Sequence, residues 1–196
     1  MPLNPIPHTR LEPLLREYLS RREDETTLAL MQALRRARAR RYLTPAELEA
    51  VCRWKSARAI HHIRANGPAR IRSATLRALA TRSERRRLEA LRTLRGVSVP
   101  MASAILTLLD PRRYGVLDIR VWQLLHKLGV VARNPAGTGF SADNWCAFLA
   151  IVRRFARKLD VKARDVERTL FFVHQRYQKD RLYADRRRSR RGKRPA

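Results

Sequence analysis

The stretch Leu91-Arg92-Thr93-Leu94-Arg95-Gly96-Val97-Ser98-Val99-Pro100-Met101-Ala102-Ser103-Ala104-Ile105-Leu106 decides the fold. A helical run over 84–94 stops at a glycine, two or three residues turn the chain, and a proline opens a second helix over 100–109. Gly96 supplies the left-handed backbone that such a turn needs. Ser98 or Val99 then leads into a helix whose first N–H groups have no partner within it. With the helix dipole behind them, those groups suit a phosphate. Ala102, Ser103 and Ala104 are small enough for the second helix to lie close to a neighbour. A hairpin of this kind often does no more than connect helices. Its continuation says more: Asp110-Pro111-Arg112-Arg113-Tyr114-Gly115-Val116-Leu117-Asp118-Ile119-Arg120-Val121-Trp122. Asp118 stands just before a predicted helix over 119–128, where a carboxylate caps the first turn.

Outward from the hairpin the chain reads as helix throughout. Helices are expected over 10–22 and 25–42, joined near Asp24. In the second, Leu28, Met31, Leu34 and Ala37 recur at helical spacing. Thr44-Pro45-Ala46-Glu47 has the form of a capping box with proline at the first helical position, and that helix runs to about Trp54. Segments 56–65 and 68–80 are separated by the stop Asn66-Gly67-Pro68. Ser83 caps the first hairpin helix. Pro135, Gly137 and Gly139 mark 129–141 as a loop, Ser141 caps a helix to about Leu159, and a last helix covers 162–178 with Val166, Leu170 and Val173 inward. No strand periodicity and no internal repeat is present. The expectation is an all-α fold in one domain over 1–178, followed by a basic, disordered tail over 179–196.

Charge narrows the function. Lys and Arg number 44 against 17 Asp and Glu, a net of +27 over 196 residues. The tail carries nine of those cations and two Asp, so the rest still holds a net +20. A folded body this basic points to nucleic acid. Arg35, Arg36, Arg38, Arg40 and Arg41 read equally as a solvated face and as a phosphate-tracking one. The two cysteines, Cys52 and Cys146, are remote from any close Cys/His pair, which argues against zinc, four-cysteine clusters and a disulfide framework. No stretch has the ~20 apolar residues of a membrane span, and the Pro-rich start lacks a signal-peptide core. No metal or cofactor is expected, and a monomer in the cytoplasm, nucleoid-associated if bacterial, is.

The pattern Leu94-x-Gly96-Val97-x-x-x-x-Ala102, a helix, then Leu117-Asp118-x-x-Val121 resembles the helix-hairpin-helix DNA glycosylase superfamily of base-excision repair. The matched stretch is roughly 88–129, about a fifth of the chain. The resemblance implies a two-lobed helical fold, with a helical barrel beside a lobe built from both chain ends and duplex DNA at the cleft between them. It implies that backbone N–H groups around Gly96, Val97, Ser98, Val99 and Met101 hold a phosphate. The usual second glycine is Ser98 here. It implies that Asp118 assists departure of a flipped base by stabilising positive charge on the sugar, which agrees with the chemistry of an oxocarbenium-like transition state. Strand-cleaving members carry a lysine where this chain has Pro100. Proline has no amine, so the implied enzyme is monofunctional, hydrolysing the N-glycosidic bond without lyase activity.

Other residues are candidates with plainer readings beside them. Trp54 and Arg58 share a helix face in Trp54-Lys55-Ser56-Ala57-Arg58. Trp54 reads as core or as the wall of a base pocket. Lys55, Arg58 and Arg120 read as phosphate contacts or as surface charge. His61 and Tyr114 are further candidates for a pocket or wedge. His61 and His62, being adjacent, are expected to point to different sides of their helix and so make a poor metal pair. Trp122 and Trp145 read as core, and His174 has no evident partner. Two other functions fit the same composition: a non-enzymatic hairpin protein that recognises lesions or DNA structure, and a binder of structured RNA.

Overall fold

The computed structural model describes residues 6–177, and within them there are eleven α-helices, one 3₁₀ turn and no strand. The expected tail lies outside the described residues. One lobe holds α2 (Glu25–Ala33), α3 (Arg35–Arg40), α4 (Pro45–Ser56), the 3₁₀ turn Ala57–Ala59, α5 (Ile60–Arg64), α6 (Pro68–Ala80), α7 (Glu84–Arg92) and α8 (Val99–Leu109). The other joins α1 (Leu11–Tyr18) from one chain end to α9 (Ile119–Lys127), α10 (Ala142–Lys158) and α11 (Ala163–Tyr177) from the other. The fold is thus all-α and two-lobed. Helix α8 is the central element, buried from Met101 to Leu109 and touched by α2, α3, α4 and α7. α10 packs on α7, so one apolar core runs through both lobes.

Local chemistry sets most helix starts. Thr44 Oγ1 accepts the Glu47 N–H at 3.3 Å while Glu47 Oε2 accepts the Thr44 N–H at 2.8 Å, a closed capping box. Ser141 and Asn144 form a second. Ser83 caps α7 and Ser98 caps α8. The C-terminus of α9 is a Schellman motif: Gly129 N–H donates to His126 O at 3.0 Å and Val130 N–H to Leu125 O at 2.9 Å. α10 ends the same way, with Asp160 at φ 51 in the position where glycine is usual.

Two expected helices are shorter than their periodicity suggests. The first ends at Tyr18 because the next residues are claimed by α11: Ser20 N–H donates to Thr169 Oγ1 at 3.1 Å, and Arg168 donates to Ser20 O at 2.6 Å. The second breaks at Leu34, where ψ is −2, leaving Leu34 and Ala37 buried but Leu28 exposed at 51%. The arginine run divides in kind. Arg40 pairs with Glu47, Arg41 donates to Leu79 O at 2.9 Å, and Arg38 lies 3.9 Å from Asp110. Trp122 and Trp145 are core, as expected. Among the described residues no helix is long and apolar enough to cross a membrane.

Candidate active site and nucleic-acid interface

Gly96 stands at φ 79, the left-handed geometry its turn requires. The site also demands its missing side chain: a Cβ there would lie 2.9 Å from His62 Cβ and 3.3 Å from the Ile63 backbone N. The hairpin loop is clamped by Asn66, which is almost fully buried. Its amide donates to His62 O (3.1 Å), Ile63 O (2.9 Å) and Arg95 O (3.0 Å), and its Oδ1 accepts the Arg95 N–H at 2.8 Å. Sequence reasoning saw only a helix stop at this position; the clamp joins residues 29 apart. Val97, Val99 and Met101 are buried and root the hairpin in the core. Two of the five N–H groups expected to meet phosphate already have internal acceptors, Val97 at Leu94 O (3.2 Å) and Met101 at Ser98 Oγ (3.4 Å).

Asp118 caps α9. Its Oδ1 accepts the N–H groups of Arg120 at 3.0 Å and Val121 at 3.3 Å. Its other oxygen, Oδ2, accepts from Lys55 Nζ at 3.3 Å. Both side chains are roughly four-fifths buried, at 18% and 19% exposure. The cap fixes the carboxylate on one side, and Oδ2 faces Lys55 on the other.

That ion pair divides two clefts. The hairpin cleft, about 300 Å³, is lined by Lys55, Arg58, Gly96, Ser98, Asp118 and Arg120, among others. It brings together most of the residues expected to bind phosphate. The second cleft, about 440 Å³, has Asp118 and Lys55 at one end, Trp54, Phe171 and Phe172 as aromatic lining, and Glu167 among its polar groups. Trp54 therefore stands at a cleft wall rather than in the core, half-buried. Its indole N–H donates to Thr27 Oγ1 at 2.8 Å, and the Arg164 guanidinium lies 5.6 Å from its ring centre. Phe172 is 50% exposed, one of two large apolar side chains left so open among the described residues.

A buried ionic lattice, absent from the sequence reading, holds the aromatic cleft. Arg164 donates to Glu23 at 2.8 Å and to Glu167 at 2.5 Å, and Arg168 lies 3.2 Å from Glu23. Burial pushes the Glu167 carboxyl above its ordinary range, against the pull of Arg164, and the nearby charge of Asp118 adds to the rise. Glu167 reaches this place because Gly115 has no side chain: a Cβ there would lie 2.6 Å from Glu167 Cβ. Only that glycine, three residues before Asp118, hints at the lattice in the sequence.

Several candidates lie elsewhere. Tyr114 is core, stacked on Trp145 with ring centres 6.1 Å apart, and its hydroxyl donates to Glu84 at 3.1 Å. Glu84 also receives Arg153 at 2.8 Å and Arg87 at 3.1 Å, so Tyr114 belongs to a structural hub between α7 and α10, not to the Asp118 clefts. His61 lines neither cleft. It is exposed on α5, and its ring centre is 3.8 Å from that of His62, so the two rings lie side by side rather than on different faces. No His, Cys, Asp and Glu group suited to a metal occurs among the described residues. His174 does have partners, in Arg120 and Gln123. No protein-family model matches the chain, and no curated protein or solved structure matches it either.

Proposed function

We propose that this protein is a DNA-binding base-excision enzyme, a glycosylase that hydrolyses the N-glycosidic bond of a flipped, damaged or mispaired base. The observation that carries the reading is the position of Asp118: a half-capped carboxylate lining both a cationic cleft beside a hairpin and an aromatic cleft roomy enough for a base. Duplex phosphate suits the first cleft, where Lys55, Arg58, Arg120 and the start of α8 converge. A flipped base suits the second, against Trp54, Phe171 and Phe172. The sugar then falls beside Asp118, whose negative charge stabilises the cation that forms as the base departs. Lys55 leaves the carboxylate for a phosphate when DNA enters, because its side chain lines both clefts. The position that carries a lysine in the strand-cleaving members of the resembled superfamily is Pro100 here, which favours attack on the sugar by water and leaves an abasic site.

The test is a panel of duplexes carrying alkylated, oxidised, deaminated or mispaired bases. Each is incubated with wild type or Asp118→Asn and then heated in alkali to break abasic sites. Asparagine keeps the Oδ1 cap of α9, so folding and DNA affinity should survive while excision falls by at least a hundredfold, on the order of one lost electrostatic stabiliser. Tight binding without excision from any member of the panel would favour a hairpin protein that only recognises DNA. Preference for structured RNA over duplex DNA would overturn both.

A further inference from the structure

Arg120 enters the hairpin cleft from the first turn of α9, and three polar groups stand in line behind it. Its Nη1 lies 3.5 Å from His174 Nδ1. His174 Nε2 lies 3.1 Å from Gln123 Oε1, and Gln123 Nε2 donates to Ala136 O at 3.0 Å. A guanidinium can only donate, so Nδ1 is the acceptor. A neutral imidazole carries one proton, which then sits on Nε2 and is given to Gln123 Oε1. The Gln123 amide N–H is left for Ala136. One tautomer and one amide orientation satisfy every member of the chain, and its far end is anchored in the loop between α9 and α10.

His174 is fully buried, at 0% exposure. Burial first, and the charge of Arg120 second, lower its pKa to about 4, so the ring is neutral at physiological pH. Placing a buried imidazole against a cation costs desolvation that a leucine or phenylalanine would avoid. Packing of α11 on α9 therefore does not explain the residue; holding the guanidinium does. Phe171 gives a second restraint, its ring centre 5.7 Å from the Arg120 guanidinium carbon.

We propose that His174 is a positioning residue that fixes the Arg120 guanidinium to bind a backbone phosphate of duplex DNA seated at the Gly96 hairpin. The proposal rests on the DNA-binding part of the reading above and not on base excision.

It is tested by fluorescence anisotropy on an undamaged duplex across a salt series. The proteins are wild type, Arg120→Ala, His174→Phe, His174→Gln and the Arg120→Ala/His174→Phe double variant. Arg120→Ala should flatten the slope of log K against log salt by about 0.9, so its deficit is about three- to fourfold larger at 50 mM salt than at 200 mM. His174→Phe should reproduce at least half of that loss and add nothing in the double variant. His174→Gln, whose carbonyl can accept from Arg120, should recover binding. Gln123→Leu reads the same coupling should His174→Phe not fold: it should weaken binding in wild type and leave Arg120→Ala unchanged. Wild-type affinity in His174→Phe, losses that multiply in the double variant, or an unchanged salt slope in Arg120→Ala would each overturn the proposal. Excision plays no part in this readout. A negative lesion screen leaves the inference standing, and additive losses here leave the excision reading standing.

Discussion

Gly96 and Gly129 make a matched pair for measuring what the hairpin demands of its glycine. Both hold left-handed backbone, at φ 79 and φ 66. A Cβ at Gly129 meets nothing within 4 Å, whereas one at Gly96 meets His62 Cβ at 2.9 Å and the Ile63 N at 3.3 Å. Gly129→Ala should thus cost only the conformational penalty of an L-residue in that region, about 1–2 kcal/mol. Gly96→Ala carries the same penalty and must also displace His62 and Ile63 of α5, which adds about 1–3 kcal/mol as overpacking does elsewhere. For a chain of this size the extra cost is a drop of roughly 2–12 °C in Tm relative to Gly129→Ala. Urea denaturation with coincident fluorescence and circular-dichroism transitions measures both. Gly67→Ala is the control, since its backbone is ordinary and its surroundings are open. DNA affinity should also fall in Gly96→Ala and not in Gly129→Ala, because moving the turn moves the first N–H groups of α8. Equal destabilisation by Gly96→Ala and Gly129→Ala would refute the close approach between the hairpin and α5.

Other outcomes follow from the same geometry. Asn66→Ala removes the partner of the part-buried Arg95 N–H and carbonyl and of the buried Ile63 carbonyl, and should cost about 1–2 kcal/mol in urea; a loss below 0.5 kcal/mol, roughly the noise of a surface change, would mean the clamp is dispensable. Asp160→Gly relieves a non-glycine residue at the left-handed end of α10 and should stabilise by about 0.5–1 kcal/mol, seen as a higher Tm; no rise would count against strain at that cap. His174 also makes stability depend on pH. Its folded pKa of about 4 lies below the ordinary value of 6.5, so the unfolded chain binds the extra proton between them. The stability tied to the neutral ring is complete above pH 6.5 and is lost as pH falls to about 4, a change of about 3 kcal/mol. Arg120 and Lys127 favour the neutral ring and Asp118 opposes it. Wild type should lose stability faster than His174→Gln between pH 7 and pH 4.5, and parallel Tm curves would rule the effect out.

Much of the scaffold was legible because its signals are local. Gly96, Ser98 and Pro100 specify a turn and a helix start within five residues. Thr44 with Glu47 closes its cap within one helical turn and Ser141 starts another helix, and the +27 net charge is read without any fold. Asp118 is marked by the pattern that resembles the glycosylase hairpin, and Lys55 and Arg58 by their charge beside Trp54 on one short segment. Local signals failed where distant chain segments compete for the same groups. The helix expected over 10–22 stops early because Thr169 and Arg168, on the last helix, take its backbone partners. Tyr114 is held in the core by Glu84 and Trp145, which come from distant helices.

The sequence by itself determined the helical class, the hairpin, the caps and the basic character, since each depends on backbone preferences or charge within a turn or two. Only the tertiary structure decided that Lys55 meets Asp118, that Gly115 makes room for Glu167, and that His174 stands behind Arg120. Those contacts join residues 63, 52 and 54 apart. No local preference encodes them. They arise from the burial of apolar faces on α4, α9 and α11, which brings polar side chains together and favours pairing of the buried ones.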